Sequence, residues 1–235
     1  MSVREHTVSD DVLPAWRVVA LLARYIIGYN FVYIWILKSL YAAFPQPGKI
    51  FYQAIFYIVY FAVSVWLAWP LLKDSTRRLK GHVGWTAAVV VFALVAMLLV
   101  SGQVSALAAE LSGATDSRNQ LEINQALTEQ PLFIMAVTVI FSPLVEELVF
   151  RACIFRPLQR RGHLVAGIVI SAVLFGLLHV YESMLDGDLA DGWYALTYAS
   201  MGVFMSLAYV YADNFWAPVL LHATNNALVI FLLMR

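Results

Sequence analysis

Phe141-Ser-Pro-Leu-Val-Glu-Glu-Leu-Val-Phe-Arg151 decides the fold of this chain. Read for hydropathy, it lies inside a long apolar run, yet it carries two adjacent carboxylates and an arginine. A run this long and apolar reads as a membrane span, because the hydrocarbon core takes about 20 such residues to cross. Ionisable side chains are costly there and as a rule mark function or pairing. Working outward, two later apolar runs each contain one histidine, His179 and His222. The expectation is that the three runs converge on one buried site.

The composition supports a membrane setting. Of 235 residues, 62% are hydrophobic and 13% charged, against roughly half and a quarter in soluble domains. Mean hydropathy is +0.76. The formal net charge is zero, which gives no ground for nucleic-acid binding. A single cysteine, Cys153, excludes an internal disulfide framework and a cysteine-based zinc cluster. The first residues lack the short apolar region and cleavage site of a signal peptide, so the first apolar run reads as a retained span.

Seven candidate spans follow: residues 18–37, 50–72, 83–101, 131–155, 164–181, 193–211 and 216–233. The fold class is therefore all-α, a polytopic bundle of about seven to eight transmembrane helices forming one membrane domain over residues 1–235. Pro45-Gln-Pro47-Gly48 marks a tight connection. Residues 73–80 and 156–161 are basic, whereas residues 103–130 and 182–191 carry an acidic excess. With seven spans the two basic loops fall on one side, the cytoplasmic one by the positive-inside rule. Residues 103–130 are long enough for an amphipathic surface helix. The tryptophans fall mostly near span ends, as an interfacial belt, and Arg17 and Arg24 are expected to snorkel to the headgroups.

Spacing assigns roles. Glu147 and Arg151 are four apart and face one another on a helix, so an ion pair makes Glu147 tolerable in a low dielectric. Glu146 lies about 100° round the axis without such a partner, which suits a general acid or base. Pro143, just before the pair, frees a backbone carbonyl and bends the helix. His6, His82 and His163 fall in loops; His179 and His222 do not. His222 and Asn226 share a helical face, from which the Asn226 amide can meet an oxyanion, while Asn225 points elsewhere. Phe175, one turn before His179, walls the pocket, and Gly176 admits a neighbouring helix. These parts suggest amide hydrolysis by a water that Glu146 activates with help from His179. Cys153 and Ser142 lack a histidine at helical spacing and make poor nucleophiles. The same Glu146, His179 and His222 also form a two-histidine, one-carboxylate set compatible with zinc, although no His-Glu-x-x-His motif is present. By helical rise alone the three groups differ in depth by about 10 Å.

Glu146-Glu147-x-x-x-Arg151, Phe175-x-x-x-His179 and His222-x-x-x-Asn226 resemble, in order, the three signature motifs of the CPBP family. These are the CAAX-processing and bacteriocin-processing intramembrane endopeptidases, also labelled abortive-infection proteins. Phe150-Arg151 and Trp216-Ala-Pro218 fit the same pattern. The resemblance covers residues 131–233 and implies a helical membrane protease core there, in the bacterial cytoplasmic membrane, acting on a peptide or protein substrate. It implies that Glu146 is catalytic, that Glu147 and Arg151 support it, that His179 assists water activation, and that His222 and Asn226 stand near the oxyanion. The resemblance leaves open a metal-dependent or a metal-free mechanism. Two other functions are compatible with such a chain: a non-catalytic bacteriocin-immunity or partner-binding protein, and a small transporter. Many transporters show internal inverted repeats, and none is visible here.

Overall fold

A computed structural model describes residues 13–44 and 48–234. Among them there is no strand. Helix α1 spans residues 15–43, with a π-helical stretch at Arg24–Val32. It is followed by α2 (Lys49–Gly81), α3 (Val83–Ser112) and the shorter α4 (Arg118–Glu129). Next come α5 (Pro131–Arg160), α6 (Leu164–Leu178), the one-turn α7 (Tyr181–Leu185), α8 (Ala190–Ala212) and α9 (Trp216–Leu233). The chain is an all-α polytopic bundle. Among the described residues five helices, α2, α3, α5, α8 and α9, are long and apolar enough to cross a membrane; α6 is apolar but has 15 residues. Length and composition thus support five of the expected seven to eight spans among the described residues, and α6 is apolar but short. Of the Pro45–Gly48 connection, residues 45–47 lie outside the described residues.

The loops sort by charge. Arg78 bonds Asp213, Arg156 reaches the same carboxylate, and the Trp85 indole donates to the Tyr211 carbonyl. These contacts gather both basic segments at one end of the bundle. At the other end Arg118 pairs with Asp186, its backbone N–H donates to Asp191, and Tyr194 donates to the Ala114 carbonyl. Residues 103–130 do include the expected amphipathic helix, α4. Ser117 caps it, its hydroxyl accepting from the Gln120 N–H as N-cap serines do.

Two arginines of α1 bond across to α2. Arg24 donates to the Ser64 hydroxyl and the Tyr60 carbonyl and sits 4.0 Å over the Tyr60 ring. Arg17 donates to the Trp66 and Leu67 carbonyls. Both side chains tie α1 to α2 because helix carbonyls keep a second lone pair, and these stand within reach across the contact.

The tightest packing is between α6 and α8. A Cβ placed on Gly176 would collide with the Ala195 carbonyl oxygen and stand 3.0 Å from the Ala199 Cβ. On Gly202 it would meet the Ala172 Cα at 3.0 Å. Small residues let helix backbones approach where no hydrophobic force drives them together. Gly176→Ala is therefore expected to destabilise by about 1–3 kcal/mol, since the obstacle is backbone rather than a yielding side chain. Thermal unfolding in detergent checks this, and an unchanged midpoint would count against the close α6–α8 contact.

Candidate active site

Helix α5 presents the carboxylates, and its irregularity follows from Pro143. Upstream, residues Val137–Phe141 are π-helical, with the Ser142 N–H bonded to the Val137 carbonyl. The next bond in that register would run from residue 143 to Thr138, but proline has no N–H. The Thr138 carbonyl is left over, and the Asn226 amide of α9 takes it at 2.9 Å. A residue that would otherwise weaken α5 thus clips α9 to it. A second π stretch, Leu148–Phe155, follows the carboxylates. Single π turns inside α-helices cluster at functional sites.

Glu147 and Arg151 form the anticipated ion pair, 2.9 Å apart and with both side chains fully buried. Arg151 also donates to Ser171 on α6 at 2.7 Å, contacts the Met205 sulfur on α8, and lies 5.2 Å over the Phe175 ring. Ser171 in turn donates to the Phe150 carbonyl. The other Glu147 oxygen faces His222 Nδ1 at 3.1 Å. One carboxylate therefore links the arginine to the histidine of α9, which spacing alone does not reveal.

Glu146 has no such close partner. Its Oε2 is buried and makes no hydrogen bond among the described residues. It lies 3.9 Å from His179 Nε2 and 3.9 Å from His222 Nε2. His179 Nδ1 is 2.8 Å from the Phe175 carbonyl. A carbonyl only accepts, so Nδ1 carries the hydrogen, and Nε2 is the ring nitrogen that faces Glu146. The His179 ring stacks on Tyr198 at 4.2 Å, and the Tyr198 hydroxyl bonds Ser117 and Asn119 at the start of α4. Phe175 touches both imidazoles, with ring centres 4.5 and 5.7 Å away. It does wall the pocket.

The apparent mismatch in depth disappears for two reasons. Asp213, just before α9, stands beside Arg156 of α5; His222 lies nine residues on from the first and Glu146 ten residues back from the second, so they reach one level. His179 follows the last residue of α6, and its side chain leans toward the helix N-terminus, as all helical side chains do. That brings the ring back to the level of Phe175 and Glu146.

A cavity of about 440 Å³ opens onto these groups and is lined also by Tyr25, Tyr29, Met201 and residues of α4. Asn226 lines it, with one amide hydrogen committed to Thr138. Asn225, expected to face away, lines it too and donates to the Asn226 oxygen. Positions three and four residues on from His222 are both its neighbours on a helix surface. Ser142 reaches the cavity, whereas Cys153 is buried in a separate apolar cluster. Among the described residues no group of three His, Cys, Asp or Glu side chains is arranged to hold a metal ion. Tyr198, Ser171 and Met205 had no sequence signal, being ordinary residues of apolar runs.

Helix α5 with α6, α8 and α9 thus defines a membrane bundle with a glutamate and two histidines around an internal cavity. Residues 128–228 match the family described as type II CAAX prenyl endopeptidase Rce1-like, and the resemblance drawn from the three motifs is borne out over that region. Among curated proteins, the chain is similar to "Putative membrane peptidase YdiL" of Bacillus subtilis (strain 168), with 29% identity over 117 residues, 50% of this chain and 43% of that protein. It is also similar to "Membrane-embedded CAAX protease MroQ" of Staphylococcus aureus (strain USA300), with 33% identity over 106 residues, 43% of this chain and 38% of that protein. The aligned chain thus spans less than half the length of each of these relatives. No solved structure matches it significantly.

Proposed function

We propose that the protein is an intramembrane endopeptidase that hydrolyses a peptide bond with a water activated by Glu146, and that residues 131–233 are its catalytic core. The observation that carries this reading is the placement of the Glu146 oxygen 3.9 Å from the Nε2 atoms of both His179 and His222, inside a cavity. Those gaps are too long for direct hydrogen bonds and leave room for a water that touches all three atoms.

The chemistry follows from the partners. Glu146 takes a proton as the water oxygen attacks the carbonyl carbon, then delivers it to the departing amine nitrogen as the C–N bond breaks. His179, held through its Nδ1–H by the Phe175 carbonyl, orients the water with Nε2. His222, whose Nδ1 faces the Glu147 carboxylate, turns Nε2 toward the developing oxyanion. The second amide hydrogen of Asn226 is the other candidate donor. The family relation supports protease activity, and the bacterial relatives support a site in the bacterial cytoplasmic membrane. The substrate class is a peptide or a membrane-associated protein segment. Zinc held by Glu146, His179 and His222 is the competing mechanism; it would polarise the scissile carbonyl and the water.

His179→Ala and His222→Ala are each expected to lower cleavage of a quenched peptide library by about 10²–10⁴-fold while the purified proteins keep their elution profile and helical content. If both variants cleave at the wild-type rate, the convergent site is not the catalyst. If the wild type cleaves nothing across a broad library, a binding or immunity role replaces the protease reading.

A further inference from the structure

A second cavity, of about 630 Å³, lies between α2, α5 and α9 on the opposite side of the catalytic helices. Its floor is apolar, formed by residues such as Phe61, Val65, Leu144 and Val219. Its rim, at the basic end of the bundle, carries Lys73, Arg77 and Lys80 of α2, all exposed. The single acid in residues 73–80, Asp74, is held by Arg78 at 2.8 Å. The rim is therefore three positive charges with no acid among the cavity-lining residues. Thr76 and Trp216 stand between charge and floor, with the Trp216 indole donating to the Thr76 hydroxyl, and Trp69 is exposed alongside.

An apolar trough ending in a cationic rim at the interface has one natural occupant in a bilayer. We infer that this groove is a binding site for an anionic glycerophospholipid, its acyl chains along the α2–α5–α9 trough and its phosphate among Lys73, Arg77 and Lys80. Basic pockets between spans on the cytoplasmic side take anionic headgroups by the same physics, and tryptophan rings suit that depth. The site also touches the machinery from behind. Val139, Ile140 and Leu144 belong to the same turns of α5 as Thr138, Ser142 and Glu146, and Val219 and Ala223 flank His222 on α9. A lipid seated there buttresses both catalytic helices. The binding itself does not rest on the protease reading.

The test uses the full chain in nanodiscs of equimolar dioleoylphosphatidylglycerol and dioleoylphosphatidylcholine, with mass spectrometry of the lipids that remain on the protein after release into neutral detergent. Three interfacial cations correspond to roughly a hundredfold preference for the anionic lipid. That preference should vanish in Lys73→Gln/Arg77→Gln/Lys80→Gln and persist in Lys38→Gln/Lys49→Gln/Arg161→Gln, which removes as much charge elsewhere. Equal retention of both lipids by the wild type, or equal loss in the two variants, would overturn the assignment. A second readout needs no charge variant. Phosphatidylglycerol brominated on its acyl chains should quench wild-type tryptophan fluorescence more than Trp69→Phe fluorescence, and more than brominated phosphatidylcholine does. No difference would equally overturn it.

Discussion

Glu146→Gln is expected to lower peptide cleavage by about a thousandfold, within the 10²–10⁴ range for loss of a general base, with little change in stability. The substitution keeps size and shape and replaces an oxygen that has no hydrogen-bond partner, so no existing hydrogen bond of that oxygen is lost. It removes only the group able to accept the proton from water. Circular dichroism and elution volume should match the wild type, and kcat should fall rather than KM rise, because the lost interaction exists only in the transition state. A variant that still cleaves would move the base away from Glu146, to Glu147 or another group; an unfolded variant would show that Glu146 is structural.

Arg151→Ala is expected to behave in the opposite way, destabilising first. The guanidinium is fully buried and holds Glu147, Ser171 and Phe175 together. Removing one partner of a buried pair leaves a charge uncompensated, at a cost of roughly 3–5 kcal/mol. The Ser171 link also joins α5 to α6, so the loss should extend beyond one helix. Thermal unfolding in detergent measures it. Arg151→Lys should restore only part, since an ammonium cannot present the planar fork that meets Glu147 and Ser171 at once. Unchanged melting of Arg151→Ala would mean that Glu147 does not depend on the pair.

Much of this was legible before the structure. Glu147–Arg151, Phe175 as a wall and Gly176 as a contact point follow from i, i+3 and i+4 geometry, which is local. The charge asymmetry of loops 73–80, 156–161 and 182–191 correctly sorted the ends of the bundle. What stayed hidden was tertiary. Hydropathy says that Arg24 sits in an apolar run, but not that Tyr60 and Ser64 stand across from it. No spacing rule joins Glu147 to His222, 75 residues away. The commitment of Asn226 to Thr138 depends on a π turn, and the π turn depends on where proline removes a donor relative to it. The depth of His179 depends on α6 stopping at Leu178, a boundary that an uninterrupted apolar run to Tyr181 conceals.

The measurement that bears most directly on the central claim is cleavage by wild-type protein stripped with a chelator, assayed beside its metal content. The account predicts that turnover survives stripping and that the active protein carries no stoichiometric metal. Turnover lost on stripping and restored by zinc would contradict it, and would make Glu146, His179 and His222 ligands rather than the base and its partners.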